Sequence, residues 1–353
     1  MCNINIKTND ETNCEILIKE DIKSNINNYL DDTRHFLITN TTLQKLYPEL
    51  VYKFHKDRVI IIKNGEKYKN IKTYEYILSE LLKRKIERKD TIVALGGGVV
   101  GDITAFCAST VLRGIKLVQI PTTLLAMCDS SIGGKTGINS KYGKNLIGTF
   151  YMANKVLIDT EFIETLNDYE YKCGLGEIVK YAFIEKSCKC HTQYNLLDVL
   201  EKNQVLDVKN QIKEIINICV NLKASVVVQD KFEGNLRKIL NLGHTYAHTI
   251  ETLSNYKRIS HGEAVAWGIK CAANLGYNLN KINKEYYDEI NYLIDKFSLV
   301  SHKMKFKHNK IIELMKQDKK VENGKINLLV PISPAEVALF DNIDLRDVEA
   351  SLL

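Results

Sequence analysis

The feature that most restricts the fold of this chain is a glycine-rich turn that follows a predicted strand and precedes a predicted helix. The aliphatic segment 91–95 leads directly into Gly96-Gly97-Gly98-Val99-Val100-Gly101-Asp102. This spacing matches a dinucleotide-binding pattern, because glycines let the backbone approach a pyrophosphate and a helix N-terminus presents free N–H groups. A tight turn without a ligand would fit as well, since no acidic residue stands about 20 positions further on, where a ribose contact is expected.

The first part of the chain alternates short β-branched segments with helical periodicity, which is typical of a parallel sheet with crossover helices. The predicted strands are 36–39, 59–62, 91–95 and 116–120, and a helix is predicted over 74–88. After residue 160, apolar residues repeat every three or four positions, and no proline interrupts 161–330. Pro331 and Pro334 predict a loop. We therefore predict an α/β domain at 1–160 and an all-α domain at 161–353.

Composition and charge exclude several classes of protein. The 353 residues are 45% hydrophobic and 26% charged, as in ordinary globular proteins. No apolar segment approaches the roughly 20 residues of a membrane-spanning helix. The net charge of +6 can steer an anionic substrate but is too small to indicate nucleic-acid binding. The nine cysteines are an odd number and no apolar signal segment begins the chain, so we predict reduced thiols in the cytoplasm.

A second glycine-rich segment, 129–136, ends in Gly134-Lys135-Thr136. It resembles the end of a P-loop, but a P-loop needs a glycine at the position that Asp129 occupies, so a P-loop is excluded. What remains is a turn that presents Lys135, with further lysines and an asparagine at 141–145. Such a cluster suits an anion such as phosphate, and a solvated basic loop is the alternative.

Three of the eight histidines, His244, His248 and His261, lie within 18 residues, and Glu177 lies upstream. Two imidazoles and one carboxylate with an open coordination position form a common catalytic zinc set. The spacing alone favours the pair His244 and His248, which share one face if the segment is helical. Structural histidines at helix termini would be the alternative.

These segments together resemble the 3-dehydroquinate synthase family. The resemblance runs in family order through 97–102, 113–114, 119–126, 129–136, 143–145, 176–180, 241–251, 261–265 and 318–320. It implies a dehydroquinate synthase-like fold, with a Rossmann-like N-terminal domain that binds NAD and a helical C-terminal domain that binds metal and substrate. The implied activity is that of a phosphorus-oxygen lyase of the shikimate pathway. The implied reaction converts 3-deoxy-D-arabino-heptulosonate 7-phosphate to 3-dehydroquinate and phosphate. The implied cofactors are NAD and one divalent metal, zinc or cobalt, and the implied assembly is a homodimer.

The resemblance also assigns site residues, and it replaces the pair favoured by spacing. The metal ligands would be Glu177, His244 and His261. The catalytic residues would be Lys180, His248 and Glu233. The substrate contacts would be Arg113, Asp129, Lys135, Asn145, Lys223, Arg237, Asn241 and Lys319, with Lys320 as the alternative to Lys319. The cofactor contacts would be Glu66, Lys69, Gly97, Gly98, Val99, Gly101, Asp102, Thr122, Thr123, Lys144, Phe162, Thr165 and Leu166.

One departure from the family concerns the adenosine ribose, because Asn40 stands where the family often has an acid. Three other functions compete with the synthase. A sibling sugar-phosphate cyclase would act on a different sugar phosphate, and a metal-dependent polyol dehydrogenase would release NADH. A non-catalytic nucleotide- or anion-binding protein would release no phosphate.

Overall fold

The computed structural model describes residues 2–8, 12–254, 259–301, 306–316, 321–322 and 325–353. The chain divides into two compact units, Met1–Leu166 and Asn167–Leu353. Each unit is described by itself.

The first unit is built on a seven-stranded sheet with the order β1-β2-β9-β6-β5-β3-β4. Its strands are β1 (Cys2–Lys7), β2 (Asn13–Ile18), β3 (His35–Asn40), β4 (Val59–Ile62), β5 (Thr91–Gly96), β6 (Lys116–Pro121) and β9 (Lys155–Ile158). The two strands of a separate hairpin are β7 (Lys135–Ser140) and β8 (Gly143–Phe150). The helices are α1 (Thr41–Leu46), α2 (Pro48–Tyr52), α3 (Ile71–Lys83) and α4 (Gly98–Thr110).

The sheet confirms the α/β prediction for this part of the chain. All neighbouring strands are parallel except the edge pair β1 and β2. Every residue of β5 is buried, which is why its sequence is continuously apolar rather than alternating. The four predicted strands are all present, and each matches its predicted range to within one residue at either end.

The predicted helix over 74–88 is displaced in the structure. Helix α3 begins at Ile71, because the Asn70 side chain accepts a hydrogen bond of 3.0 Å from the Thr73 N–H and caps the helix. It ends at Lys83, and Lys85 adopts a left-handed backbone with φ of 56° that a helix cannot continue through. The extension of the prediction to residue 88 was therefore wrong.

The strand order places a topological switch point at β3 and β5. From β3 the chain continues to β4 on one side, whereas from β5 it continues to β6 on the other side. In open α/β sheets, ligands bind outside the carboxyl ends of the strands at such a point. Here those ends carry Asn40 and Gly96, so the glycine-rich turn lies where the topology favours a ligand site.

The second unit is mostly helical. Its helices are α5 (Asp168–Ile184), α6 (Leu196–Lys202), α7 (Val205–Asn210), α8 (Ile212–Gln229), α9 (His244–Leu253), α10 (His261–Asn278), α11 (Lys284–Lys296), α12 (His308–Lys316) and α13 (Leu345–Ala350). Helix α10 is nearly all buried and packs against α5, α9 and α11. None of the helices in the described part of the chain is long and apolar enough to cross a membrane.

The second unit also contains a sheet that the sequence analysis did not predict. Its strands are β10 (Val321–Glu322), β11 (Lys325–Ser333) and β12 (Glu336–Asp344), all antiparallel. Pro331, read as part of a loop, lies in β11 opposite Val337, next to an irregularity in register. Proline lacks an N–H donor, but it is tolerated where a strand is paired on one side or bulged. The description of this unit as all-α is therefore corrected to mostly helical.

A carboxyl pair on α6 and α11 predicts a pH-dependent stability. Burial raises the pKa of Glu289 to about 7, and a hydrogen bond to Glu201 and the charge of that residue act in the same direction. Between pH 4.5 and about 7 the folded chain therefore binds more protons than the unfolded chain, so the free energy of unfolding falls as pH rises. We expect Glu289→Gln to stabilise the protein at pH 8 by about 1 kcal/mol, a modest value because solvent screens this half-buried pair.

Chemical denaturation at pH 5 and pH 8 measures this effect. Glu313→Gln on the exposed face of α12 is the control. A stability gain of equal size at both pH values would contradict the explanation.

Candidate functional site

The predicted cofactor contacts of the first unit collect at the carboxyl ends of its parallel strands. Glu66 and Lys69 follow β4, the glycine-rich turn follows β5, and Thr122 and Thr123 follow β6. Gly97 caps α4 and Asp102 lies in the early part of that helix, while Val99 and Gly101 lie between them. The sheet therefore brings these segments to one edge, although they are spread over residues 66–123 of the sequence.

Close packing explains why the turn is rich in glycine. A Cβ built on Gly97 would lie 2.9 Å from Cγ2 of Thr123, and one on Gly98 would lie 3.1 Å from Oγ of Ser130. A Cβ on Gly101 would lie 3.1 Å from Oε1 of Gln119 on β6. The start of α4 thus sits directly on the loop that follows β6, and side chains there would push the two segments apart.

Lys69 connects predicted cofactor and substrate residues. Its side chain is buried, and its Nζ forms an ion pair with Asp102 and donates a hydrogen bond of 2.6 Å to Oδ1 of Asn145 on β8. A buried ammonium group needs such partners, because its desolvation is otherwise costly. The contacts bring the β4 segment, the start of α4 and the hairpin to one point.

The other predicted residues of this unit lie on several elements. Lys135 is exposed on β7 and Lys144 is half-buried on β8, while Asp129 lies in a π-helical turn, Ala126–Ser130. Arg113 is exposed and has a φ of 67°, directly after Leu112 with a φ of 50°. Two consecutive left-handed residues other than glycine are strained, and such strain is often retained at functional sites.

The segment that ends the first unit carries Phe162, Thr165 and Leu166. Phe162 is buried and packs edge-on against Tyr47, with ring centroids 5.1 Å apart. The Thr165 hydroxyl lies 2.5 Å from the Tyr47 hydroxyl, and Leu166 is half-buried at the end of the unit. These contacts hold the segment against α1 and α2.

Asn40, which stands where the family often has an acidic residue, caps a helix. Its Oδ1 accepts hydrogen bonds from the N–H groups of Thr42 and Leu43, at 3.0 and 2.9 Å, and so caps α1. Its Nδ2 donates to Oδ1 of Asn64 at 3.3 Å. Asparagine and aspartate serve equally well as N-caps, so the cap explains how the exchange is accommodated by the fold.

The second unit brings Glu177, His244 and His261 together. One donor atom from each residue lies within 4.8 Å of the others. Nε2 of His261 is 3.3 Å and Nε2 of His244 is 3.6 Å from Oε1 of Glu177. His248 is exposed one turn further along α9 and is not part of this cluster, so the structure does not favour the His244–His248 pair that spacing suggested.

Glycine contacts between helices produce this cluster. A Cβ on Gly176 of α5 would overlap the carbonyl oxygen of Gly262 on α10, and one on Gly262 would overlap the carbonyl oxygen of Cys173. Gly268 of α10 is in similar contact with Gly243, which precedes α9 and has a φ of 76°. The backbones therefore touch next to the residues that carry the donor atoms.

Both imidazole rings are held by their Nδ1 atoms. Nδ1 of His244 lies 3.1 Å from the carbonyl oxygen of Leu242, and Nδ1 of His261 lies 3.4 Å from Oε1 of the buried Glu251. A ring that donates its Nδ1 proton in this way can offer Nε2 to a metal ion, which takes the place of any proton on that atom. In each case Nε2 is the atom that faces Glu177.

The electrostatics of the cluster favour a cation beside Glu177. Burial lowers the pKa of His244 to about 3; the Glu177 carboxylate opposes this shift, and Lys180 reinforces it. Burial alone would lower the pKa of His261, but hydrogen bonds to Glu177 and Glu251 raise it to about 10. Lys180 lies one turn from Glu177 and forms a buried ion pair with it.

The predicted substrate contacts of this unit lie on α8 and on the chain before α9. Lys223 is 5% exposed on α8, and Arg237 is 1% exposed, with Nη1 donating to the Lys231 carbonyl oxygen at 2.5 Å. Asn241 donates through Nδ2 to Oε1 of Glu233 at 2.7 Å, and Glu233 has a φ of 63°. Lys319 and Lys320 lie outside the described residues.

Sequence reasoning missed Asp230, which shapes this segment. Its carboxylate accepts hydrogen bonds of 2.8 to 2.9 Å from the N–H groups of Gly234, Asn235 and Arg237. These contacts hold the turn that carries Glu233 and Arg237. An aspartate a few residues before a glycine is a signal for such a turn.

Family models match most of the chain. The model for the 3-dehydroquinate synthase N-terminal region matches residues 59–173, and the model for the C-terminal region matches residues 174–321. The chain belongs to the 3-dehydroquinate synthase family.

Curated relatives cover nearly the full chain. A 3-dehydroquinate synthase of Alkaliphilus oremlandii is 38% identical over 342 residues, covering 96% of this chain and 91% of the relative. One of Dictyoglomus turgidum is 40% identical over 316 residues, covering 89% and 86%.

Solved structures show the same fold. A 2-deoxy-scyllo-inosose synthase complexed with carbaglucose-6-phosphate, NAD+ and Co2+ has a TM-score of 0.86 at 22% identity, covering 99% of this chain and 98% of that one. The 2-epi-5-epi-valiolone synthase ValA of Streptomyces hygroscopicus, with NAD+ and Zn2+ bound, has a TM-score of 0.83 at 22% identity, covering 95% and 94%. At this identity the likeness concerns the fold, and it confirms the dehydroquinate synthase-like fold class.

The contact of Gly262 with α5 predicts a specific substitution effect. We expect Gly262→Ala to lower the free energy of unfolding by about 1–3 kcal/mol, because the added methyl group meets backbone that cannot rotate away. We also expect weaker binding of Zn2+ or Co2+, because separation of α5 and α10 moves His261 from Glu177. Denaturation and metal titration measure the two effects.

Gly276→Ala is the matched control on the same helix. Its Cβ would lie 2.9 Å from Cγ1 of Val330 and 3.3 Å from the carbonyl oxygen of Pro331. Any strain there falls about four helical turns from His261. This variant should keep its metal affinity, and a loss as large as that of Gly262→Ala would contradict the role of the helix crossing.

Proposed function

We propose that the chain converts 3-deoxy-D-arabino-heptulosonate 7-phosphate to 3-dehydroquinate and phosphate in the shikimate pathway, with catalytic NAD and one divalent metal. The reaction passes through transient oxidation, elimination of phosphate, re-reduction and aldol cyclisation. The observation that carries the proposal is the Glu177, His244 and His261 cluster in a member of this family. Curated relatives named 3-dehydroquinate synthase, 37–42% identical over most of the chain, support it.

The donor set fits a catalytic divalent ion. Two imidazoles and one carboxylate leave a coordination position open, and zinc and cobalt both suit these ligands. Glu177, His244 and His261 would hold the ion, and Glu251 would orient His261. When bound, the ion and NAD supply Lewis-acid polarisation of the substrate oxygens and reversible hydride acceptance.

We assign the first unit to NAD binding. The turn Gly97-Gly98-Val99-Val100-Gly101 would face the pyrophosphate with the N–H groups of α4, and Asp102, Thr122 and Thr123 would add polar contacts. The proposed cofactor contacts also include Glu66, Lys69, Lys144, Phe162, Thr165 and Leu166. The switch point of the sheet supports this assignment.

The cationic residues are assigned to the two anionic groups of the substrate. The phosphate would be held by Lys135, Asn145, His248 and Arg113. One of Lys319 or Lys320 would provide a further contact to it. Lys223 and Arg237 would hold the carboxylate, because a buried guanidinium offers a bidentate fork. Asp129, Asn241 and the acid Glu233 complete the proposed set around the sugar.

Lys180 is assigned to the oxidation step. Its buried ammonium group lies against Glu177, one helical turn away, so it can donate to the same substrate oxygens. A positive charge at that point favours the alkoxide form of the hydroxyl that is oxidised. A phosphate held near the C6 proton can itself accept that proton, so the elimination would need positioning rather than an additional base.

We also propose a homodimer in the cytoplasm. Arg113 is exposed at a strained turn, and we assign it to the phosphate of the neighbouring subunit, as the family resemblance implies. All nine cysteines are free thiols, which supports a reducing compartment.

The first experiment incubates the protein with the heptulosonate phosphate, substoichiometric NAD and Zn2+ or Co2+. We expect equal amounts of phosphate and dehydroquinate, with no accumulation of NADH. A hexose 6-phosphate, which lacks a carboxylate, is the control substrate. It should release little phosphate, because it offers no carboxylate to Lys223 and Arg237. NADH formed in step with substrate would favour a dehydrogenase, and turnover of the hexose phosphate would favour a sibling cyclase.

A second prediction distinguishes the proposed metal ligand His261 from the nearby His248. We expect His261→Ala to lose bound metal, measured by metal analysis after dialysis, and to lose activity at least 100-fold, since it removes a direct ligand. His248→Ala should keep one metal ion per chain and bind inorganic phosphate more weakly. Equal metal loss in both variants would contradict the proposed ligand set.

A further inference from the structure

Asn139 of β7 makes three hydrogen bonds to segments that the proposed function assigns to ligands. Its Nδ2 donates to Oε1 of Glu66 at 2.7 Å, and its Oδ1 accepts from the backbone N–H of Asn145 at 3.0 Å. Its own N–H donates to the carbonyl oxygen of Lys69 at 2.8 Å. One residue therefore contacts the segment after β4 on one side and β8 on the other.

The chemistry of these contacts requires an amide. The N–H of Asn145 can only donate, so the Asn139 oxygen must face it, and the Glu66 carboxylate then receives the Asn139 nitrogen. An aspartate would place a second carboxylate against Glu66, and a leucine of similar shape would make neither contact. A side-chain amide supplies the donor and the acceptor on two separate atoms at any pH, whereas a carboxyl group can donate only when it is protonated.

The contacts restrain backbone in left-handed conformations. Gly65, with a φ of 110°, begins the turn that carries Glu66, and Asn70 forms a bridge to Asn139. Asn145 has a φ of 55°, a left-handed conformation that its hydrogen bond to Asn139 stabilises. Lys69 reinforces the link, because its Nζ donates to the side chain of the same Asn145.

We propose that Asn139 is a positioning residue that couples NAD binding to phosphate binding. It rests on the proposed function, which assigns Glu66 and Lys69 to NAD and Asn145 to the substrate phosphate. When either ligand orders its own segment, the Asn139 contacts order the other segment as well, so the second ligand binds more tightly. Coupling of this kind typically changes affinity by about 5- to 150-fold, and it is reciprocal.

The test measures the affinity of the metal-loaded full chain for NAD by calorimetry, with and without saturating inorganic phosphate. The ratio of the two dissociation constants is the coupling. We expect a ratio of at least about 5 in the parent protein and a ratio near one in Asn139→Leu. Asn139→Asp should also lose the coupling at pH 8 and regain part of it as pH falls, because the introduced carboxyl can donate to Glu66 once it is protonated.

Thr136→Val is the matched control within the hairpin. The Thr136 hydroxyl donates to the Thr149 carbonyl oxygen at 2.9 Å, and Thr136 pairs with Thr149 across the hairpin. The variant therefore perturbs the hairpin at a different point from the contact between Asn139 and Asn145. It should keep the parental ratio. The inference would be overturned by an unchanged ratio in Asn139→Leu or by a ratio of one in the parent protein. It would equally be overturned by the same loss of coupling in Thr136→Val, or by a defect in Asn139→Asp that does not depend on pH.

These outcomes are distinct from failure of the proposed function. A parent protein that forms dehydroquinate and binds both ligands, but shows no dependence on Asn139, would reject only the positioning role. A parent protein that binds neither NAD nor phosphate would reject both proposals together.

Discussion

The candidate metal centre depends on backbone contact between helices at glycine. Gly176 and Gly262 let α5 and α10 approach until main-chain atoms touch, and Gly243 and Gly268 do the same for the start of α9. The donor atoms of Glu177, His244 and His261 can meet only because no Cβ holds these helices at the usual separation of about 8–10 Å. The ligand cluster thus depends on glycines at the helix crossings. In the sequence, each of the three ligands is adjacent to one of these glycines.

In the first unit the corresponding constraint is the parallel direction of the strands. It brings the segments after β4, β5 and β6 to one edge, and a buried ammonium group then joins two of them to the hairpin. Lys69 is 4% exposed, so its contacts with Asp102 and Asn145 act in a medium of low dielectric, where a hydrogen bond to a charge is strong. The polar network thereby fixes the hairpin relative to the glycine-rich turn more firmly than exposed ion pairs would.

The sequence predicted those parts of the molecule that local patterns determine. Four strands and the strand–turn–helix context of Gly96–Gly101 follow from apolar runs and glycines, whereas the end of α3 at Lys83 depends on a left-handed turn that no pattern indicated. The strand containing Pro331 was missed because proline indicates a loop unless the pairing of its neighbours is known. Spacing favoured His248 as a ligand, because periodicity describes one helix and not the crossing of two. Asn139 could not be found from sequence, because its partner Glu66 is distant along the chain and is known only once the chain is folded. Asp230 has partners a few residues further on, so the aspartate before a glycine was a usable signal for its turn.

Burial of positive charge in the second unit requires polar partners. Lys180, Lys223 and Arg237 are each 5% exposed or less, so they have lost most of their hydration. Lys180 forms an ion pair with Glu177, and Arg237 donates to the carbonyl oxygen of Lys231. Such contacts offset the free energy lost when a charged group leaves water. If Lys223 and Arg237 bind the substrate as proposed, a carboxylate would add charge-assisted hydrogen bonds to these contacts, and such bonds are stronger than those to a neutral hydroxyl. The proposed assignment therefore favours a substrate with a carboxylate over an uncharged sugar of the same size.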